Sequence, residues 1–104
     1  MSAEYDLMVA PNGAPMTKAD HPAVPLSRDE LAETARACAD AGATAIHLHV
    51  RDRDGRHSLD PARYRAAIDA ISRRTDIAIQ VSTEAVDHFD VATQIACIRE
   101  TRAP

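Results

Sequence analysis

Apolar and polar positions alternate along this chain in three strand-like segments, and each segment is followed by a helix-like one. Residues 5–10, 44–50 and 77–82 are short and apolar, which predicts three β-strands. Residues 11–26 carry four prolines and a glycine, a composition that excludes regular structure there. The pattern therefore predicts three strand–helix units, with a long irregular connection inside the first.

The predicted helices have recognisable starts. Ser27 and Glu30 are spaced as a capping box, in which each side chain accepts a hydrogen bond from an amide of the first turn, and Gly42 is the stop signal. Asp60 followed by Pro61 predicts the second helix, because proline at the first helical position loses no hydrogen bond. The third helix is expected to begin at Asp90. The apolar positions expected to face inward are Leu31, Ala35, Cys38 and Ala39 in the first helix, Tyr64, Ala67, Ile68 and Ile71 in the second, and Val91, Ile95 and Ile98 in the third.

Alternating strands and helices favour an α/β fold with a parallel sheet, either doubly wound or a (β/α)8 barrel. The second and third strands favour the barrel. One face of each strand is apolar. The other face carries polar residues near the C-terminal end of the strand, which is where such barrels have their active sites. The apolar set is Ile46, Leu48, Val50, Ile77, Ile79 and Val81; the polar set is His47, His49, Gln80 and Ser82.

A closed barrel needs roughly 200 to 250 residues, twice the length of this chain. We therefore interpret residues 1–104 as the N-terminal three βα units of a (β/α)8 TIM barrel, an incomplete part of a single domain. A self-sufficient small α/β domain is the alternative interpretation. A turn is predicted at Asp54-Gly55, after the second strand.

Composition narrows the function classes. The net charge of −4 gives no electrostatic reason to expect nucleic acid as a partner. No apolar run approaches the roughly 20 residues of a membrane helix, and the polar N-terminus does not resemble a signal peptide. We therefore expect no membrane partner and a cytoplasmic location. Cys38 and Cys97 lie on apolar helix faces and are expected to be buried thiols.

The candidate chemistry begins with His47 and His49. Side chains two residues apart in a strand point to the same side, so these imidazoles are expected to lie next to each other. Burying two histidines that have no binding partner is costly, and a divalent transition metal bound to both imidazoles would be such a partner. A pair of surface or hydrogen-bonded core histidines is the alternative.

A catalytic zinc site usually takes three protein ligands, so a third is needed. Local candidates are Glu84, Asp52 and His88, although Asp52 can instead pair with Arg51. We expect the third ligand to lie outside this chain. The remaining histidines lie in loop-like segments and are expected to be solvated: His21, His57 and His88.

Two hydroxyl residues, Ser82 and Thr83, end the third strand. They can bind an anionic or carbonyl group of a ligand, or simply hydrogen-bond loop backbone. No nucleophilic triad or glycine-rich phosphate loop is evident, and Asn12-Gly13 is typical of an ordinary turn.

Taken together, several segments resemble the β-keto acid cleavage enzymes, in order and with matching spacing over essentially the whole chain. They are Ala10-Pro11-Asn12-Gly13-Ala14, the stretch from Thr17 to Pro25, Ala41-Gly42-Ala43, and His47-Leu48-His49-Val50-Arg51-Asp52-Arg53-Asp54-Gly55. The resemblance implies a (β/α)8 barrel and a zinc-dependent acyl exchange. In this exchange a β-keto acid and acetyl-CoA give acetoacetate and a new acyl-CoA.

The resemblance also implies roles for single residues. The family's two strand-borne zinc (Zn2+) histidines correspond to His47 and His49, and its substrate-carboxylate serine corresponds to Ser82, followed by Thr83. The glutamate ligand, the aspartate base and the catalytic arginine come from later strands, beyond residue 104. Because two ligands do not make a competent zinc site, the chain is expected to be inactive on its own. A homo-oligomer is expected at full length.

Two positions depart from the family pattern. The family often continues Ser-Thr with Gly-Gly, where this chain has Glu84-Ala85. Its aminohexanoate-cleaving members hold the substrate's amino group with a glutamate, where this chain has Pro15, so a β-keto acid with a neutral or apolar far end is expected. The alternatives are another metal-dependent TIM-barrel lyase or hydrolase, and a small non-catalytic metal-binding α/β domain.

Overall fold

The computed structural model describes residues 6–84 and 90–101. In these ranges strands and helices follow one another in the predicted order. The elements are β1 (Met8–Val9), α1 (Arg28–Asp40), β2 (Ala45–Leu48), β3 (Val50–Arg51), β4 (His57–Ser58), α2 (Pro61–Ser72), β5 (Ala78–Val81) and α3 (Val91–Thr101).

The main sheet is parallel and has the strand order β1-β2-β5. Its strands correspond to the three predicted ones, so the expected parallel α/β arrangement is confirmed at this level. The second strand is shorter than predicted: it ends at Leu48, and β3 then pairs antiparallel with β4 in a small hairpin. Asp54-Gly55 lies in the turn of that hairpin, and Gly55 adopts a positive φ of 83°.

The three predicted helix starts are confirmed, and α3 begins at Val91, directly after Asp90, whose Oδ1 accepts a hydrogen bond from the Thr93 amide at 2.8 Å. The Ser27 hydroxyl accepts a hydrogen bond from the Glu30 amide at 3.1 Å, and the Glu30 carboxylate accepts one from the Ser27 amide at 3.1 Å. Asp60 caps α2 by accepting a hydrogen bond from the Ala62 amide. After α1, Gly42 has a φ of 112°, a conformation that side-chain-bearing residues rarely adopt.

The core lies between the sheet and the helices α1 and α2, which pack against each other. Ile46, Leu48 and Val50 are buried in it, as the strand alternation predicts, and the α2 stripe is buried with them. Ile77 is also buried, whereas Ile79 and Val81 are partly exposed. The opposite side of β2 and β5 is therefore the one that carries the polar residues.

The expected orientation of α3 is wrong. Val91, Ile95 and Ile98 are 67%, 45% and 57% exposed, and α3 instead buries Cys97 and Thr101. Cys97 is a buried free thiol, as expected, and Cys38 is a partly buried one. Among the helices of the described ranges, none combines the length and apolarity that a membrane crossing requires.

Candidate metal and substrate site

The imidazoles of His47 and His49 lie side by side where β2 ends. Their ring centroids are 5.1 Å apart and the ring planes meet at 71°. His47 is half-buried in the sheet, while His49 follows the last residue of β2 and is only 3% exposed. The alternation of strand side chains thus predicts this juxtaposition correctly.

His47 has a defined hydrogen-bond partner on the next strand. Gln80 of β5 lies directly opposite His47 in the register, and its Oε1 lies 2.6 Å from His47 Nδ1. A glutamine carbonyl oxygen only accepts hydrogen bonds, so the proton of this bond belongs to the imidazole.

A third imidazole belongs to the same cluster, and the expectation that His57 is solvated is wrong. His57 lies in β4, is buried, and has its ring centroid 5.0 Å from that of His49. Its Nε2 lies 3.1 Å from the Glu84 carbonyl oxygen, which links the hairpin to the loop after β5. The signal that could have revealed it is the hairpin spacing: two short strands separated by a turn that contains Asp54-Gly55.

The cluster favours neutral imidazoles. Burial, followed by the nearby His57, His47 and Arg51, lowers the pKa of His49 from 6.5 to about 4. Burial also lowers the pKa of His57. His49 Nδ1 is buried and has no hydrogen-bond partner among the described residues. Neutral imidazoles keep a lone pair, which is the form that binds a metal.

Glu84, one of the predicted candidates for a third ligand, has its carboxylate close to this pair. Its Oε2 lies 3.9 Å from His49 Nε2, although its side chain is 53% exposed. Asp52 is used elsewhere, because its Oδ1 accepts hydrogen bonds from the Asp54 and Arg56 amides in the hairpin turn. His88 lies outside the described residues, and His21 is exposed, as expected.

Within residues 6–84 and 90–101, no group of three or more His, Cys, Asp or Glu side chains could hold a metal ion. The described residues nevertheless fit part of a zinc site. Two adjacent imidazoles, one with a buried unpartnered nitrogen, match the donor type that zinc prefers. Further ligands would have to come from other residues.

The predicted substrate residues lie next to this cluster. Ser82 is buried, and its hydroxyl accepts a hydrogen bond from the Glu84 amide at 3.2 Å, so it does bind loop backbone. Its main-chain amide donates to the Leu48 carbonyl. Thr83 is half-buried, and its carbonyl accepts a hydrogen bond from the Gln94 side chain at 2.7 Å.

Tyr64, on helix α2, holds the ends of β2 and β5 at a fixed distance from each other. Its buried hydroxyl lies 2.6 Å from the Ser82 carbonyl oxygen and 3.4 Å from that of Leu48. Burial raises the pKa of this phenol, so the hydroxyl remains a hydrogen-bond donor.

A buried polar network ties the first loop to His49. Asn12 is more than a turn residue: its Nδ2 donates to the carbonyls of His49 at 2.9 Å and Pro25 at 3.1 Å. Arg51 binds the same loop rather than Asp52. Its guanidinium donates to the carbonyl oxygens of three consecutive loop residues, Asn12, Gly13 and Ala14, and to that of Gly55.

A cavity of about 410 Å³ lies on the helix side of this network, between α1, α2 and β3. Arg51 and Asp52 line it, but none of the three clustered imidazoles does. The candidate chemistry therefore lies on the polar side of the sheet and not in this cavity.

Known proteins match this chain over most of its length. The sequence profile of a family described as "beta-keto acid cleavage enzyme" matches residues 6–104. A protein of Fusobacterium nucleatum named 3-keto-5-aminohexanoate cleavage enzyme is 46% identical over 72 residues, which cover 68% of this chain and 26% of that protein.

Two relatives carry other names. The 3-oxoadipate:acetyl-CoA acetyltransferase of Cupriavidus necator is 40% identical over 74% of this chain. The 3,5-dioxohexanoate:acetyl-CoA acetone transferase of Paraburkholderia graminis is 34% identical over 83% of it. Each match covers 28% of the relative, so the chain spans little more than a quarter of the proteins that it matches.

Proposed function

Because the chain belongs to the β-keto acid cleavage enzyme family, we propose that the protein carrying it exchanges acyl groups between a β-keto acid and acetyl-CoA. The bond between the α- and β-carbons of the keto acid breaks, and its acyl group passes to the CoA sulfur. The bond between the acetyl carbon and the CoA sulfur also breaks, and the acetyl group forms a new carbon–carbon bond with the released acetate unit, giving acetoacetate. The names of the relatives from Cupriavidus and Paraburkholderia support acetyl-CoA as a reactant.

The observation that carries the proposal is the adjacency of His47 and His49 at the end of β2, in a chain of this family. We propose that these two imidazoles hold a zinc ion. When bound, zinc would supply a Lewis acid for the keto oxygen of the substrate. The low pKa of His49 supports this role, because an imidazole that is neutral at neutral pH need not lose a proton to bind metal.

Ser82 is proposed to bind the substrate carboxylate. Its hydroxyl oxygen accepts from the Glu84 amide, which leaves its own proton available to donate. Thr83 is the second proposed hydroxyl donor. Because Tyr64 and the Leu48 carbonyl hold the Ser82 backbone, the serine is fixed relative to the histidine strand.

The whole fold is also part of the proposal. We propose that β1, β2 and β5 are the first strands of a (β/α)8 barrel, and that His47 and Gln80 face the interior of this barrel. Three observations support it: the strands follow sequence order in a parallel sheet, the helices α1 and α2 pack as neighbours, and α3 exposes an apolar face. A cytoplasmic homo-oligomer is proposed with it.

The substrate is proposed to have a neutral or apolar far end, because Pro15 cannot pair with an amino group. The test is to supply the purified protein that carries this chain with acetyl-CoA and a panel of β-keto acids, including 3-keto-5-aminohexanoate. Acetoacetate and the new acyl-CoA are measured together with bound metal. Strong preference for the aminated acid would contradict the substrate assignment.

Variants test the metal assignment. Replacing His47 and His49 by alanine is expected to remove bound zinc and lower kcat by at least about a thousandfold, the scale that loss of a metal Lewis acid implies. The matched control is His21→Ala, since His21 is an exposed histidine remote from this cluster in sequence. Normal zinc content and activity in the double variant would refute the assignment.

A further inference from the structure

Gln80 stands out because its side chain contacts a candidate ligand without being one. It lies directly opposite His47 across the β2–β5 pair, and its Oε1 approaches His47 Nδ1 to 2.6 Å. Amide oxygens bind transition metals poorly compared with imidazole nitrogens, so Gln80 has a role other than ligation.

The hydrogen bond determines which nitrogen of His47 carries the proton. A neutral imidazole has one N–H, and the glutamine oxygen can only accept. The N–H is therefore on Nδ1, and Nε2 carries the lone pair. The same bond restricts rotation of the ring, because the two residues are fixed in register by the parallel strands.

We propose that Gln80 is a positioning residue, which holds His47 as its Nδ1–H tautomer and presents Nε2 as the metal-binding nitrogen. The inference rests on the proposed zinc site. Hydrogen bonds of this kind from outside the ligand set orient metal-binding histidines, and their loss typically weakens metal binding about 10- to 100-fold.

The first experiment reads the tautomer directly and needs neither metal nor activity. The protein is labelled with 15N in its histidines, and long-range proton–nitrogen spectra are recorded metal-free, at a pH about 1.5 units above the ordinary histidine pKa. His47 is expected as the Nδ1–H tautomer in the wild type and in Gln80→Glu, which keeps an acceptor. In Gln80→Leu the Nε2–H tautomer is expected to gain population.

Gln94→Leu is the matched control for this spectrum. It removes the same amide, but Gln94 donates to the Thr83 carbonyl and not to an imidazole. The His47 signals of that variant should keep the wild-type tautomer. Leucine is close to glutamine in size, so Gln80→Leu is expected to fold normally, and its circular dichroism spectrum should match that of the wild type.

The second experiment measures zinc affinity by titration calorimetry of the same proteins. Gln80→Leu should bind zinc about 10- to 100-fold more weakly, and Gln80→Glu within about threefold of wild type. An unchanged tautomer in Gln80→Leu, with normal zinc binding, would overturn the role of Gln80 alone. A Gln80-dependent tautomer in a wild-type protein that binds no zinc would instead overturn the proposed metal site, and the ligating role of Nε2 with it.

Discussion

Arg51 is the residue whose replacement tests the architecture of the site most severely. It is buried, and its guanidinium donates to the carbonyls of Asn12, Gly13, Ala14 and Gly55. The hydrogen bond to the Ala14 carbonyl oxygen is 2.6 Å long. Burial lowers the pKa of Arg51, because removing the guanidinium from water disfavours its charged form, so the four carbonyl oxygens take the place of water as its hydrogen-bond acceptors.

We expect Arg51→Met to lower the free energy of unfolding by about 3 to 5 kcal/mol, because each buried carbonyl oxygen that loses its donor costs about 1 to 3 kcal/mol. The four hydrogen bonds alone would suggest a larger loss, at about 1.5 to 3 kcal/mol each. Removing the cation also removes its own cost of burial, so the net effect is smaller. The loss is still a large fraction of the roughly 5 to 15 kcal/mol that stabilises a domain.

Urea unfolding followed by circular dichroism measures this difference. With a slope of roughly 1 to 3 kcal/mol per molar urea, the midpoint should fall by about 1 M or more. Arg51→Lys should be nearly as unstable as Arg51→Met, because a lysine ammonium group cannot reach the several carbonyl oxygens that the planar guanidinium group binds at once. The control is Arg53→Met, at an exposed position two residues away, expected within about 0.5 kcal/mol of wild type. An Arg51→Met protein within about 1 kcal/mol of wild type would refute this reasoning.

Three other measurements follow from the described contacts. Tyr64→Phe leaves the buried Ser82 carbonyl without its donor and should cost about 1 to 2 kcal/mol by urea unfolding; a cost under about 0.3 kcal/mol would contradict the contact. In the unfolded chain His49 is protonated below pH 6.5, but in the folded protein only below about pH 4. The free energy of unfolding should therefore be highest above pH 6.5 and fall by on the order of 3 kcal/mol as the pH drops from 6.5 to about 4. Urea midpoints across that range should show a shallower fall in His49→Gln, and an equal fall would assign the effect to other groups. Ser27→Ala should lower stability by about 1 kcal/mol through loss of the α1 cap, with the exposed Ser72→Ala near wild type, and equal stabilities of the two variants would contradict it.

The sequence predicts the local parts of this fold well. Helix starts depend on contacts over three or four residues, so Ser27 with Glu30 and Asp60 with Pro61 are readable without a structure. Strand alternation likewise places His47 beside His49, because it depends only on the geometry of one short segment.

What sequence reasoning missed depends on contacts between distant segments. Asn12 and Arg51 bind carbonyl oxygens far along the chain, and a carbonyl has no sequence signature. His57 is buried because a two-residue strand folds back on β3, which periodicity cannot detect at that length. Helical periodicity identified the apolar face of α3, but it carries no information on whether another element covers that face; Ile98 on this face is exposed.

The Tyr64 hydroxyl bridges the Leu48 and Ser82 carbonyls from the helix side of the sheet, so a residue outside the histidine cluster sets the gap between the ends of β2 and β5. A slight tilt of its helix would widen or narrow that gap. For the proposed acyl exchange, substitutions in the helix layer would therefore be a route to a changed choice of keto acid that leaves His47, Gln80 and Ser82 in place. Engineers seeking new specificities should include positions on α2 in their libraries.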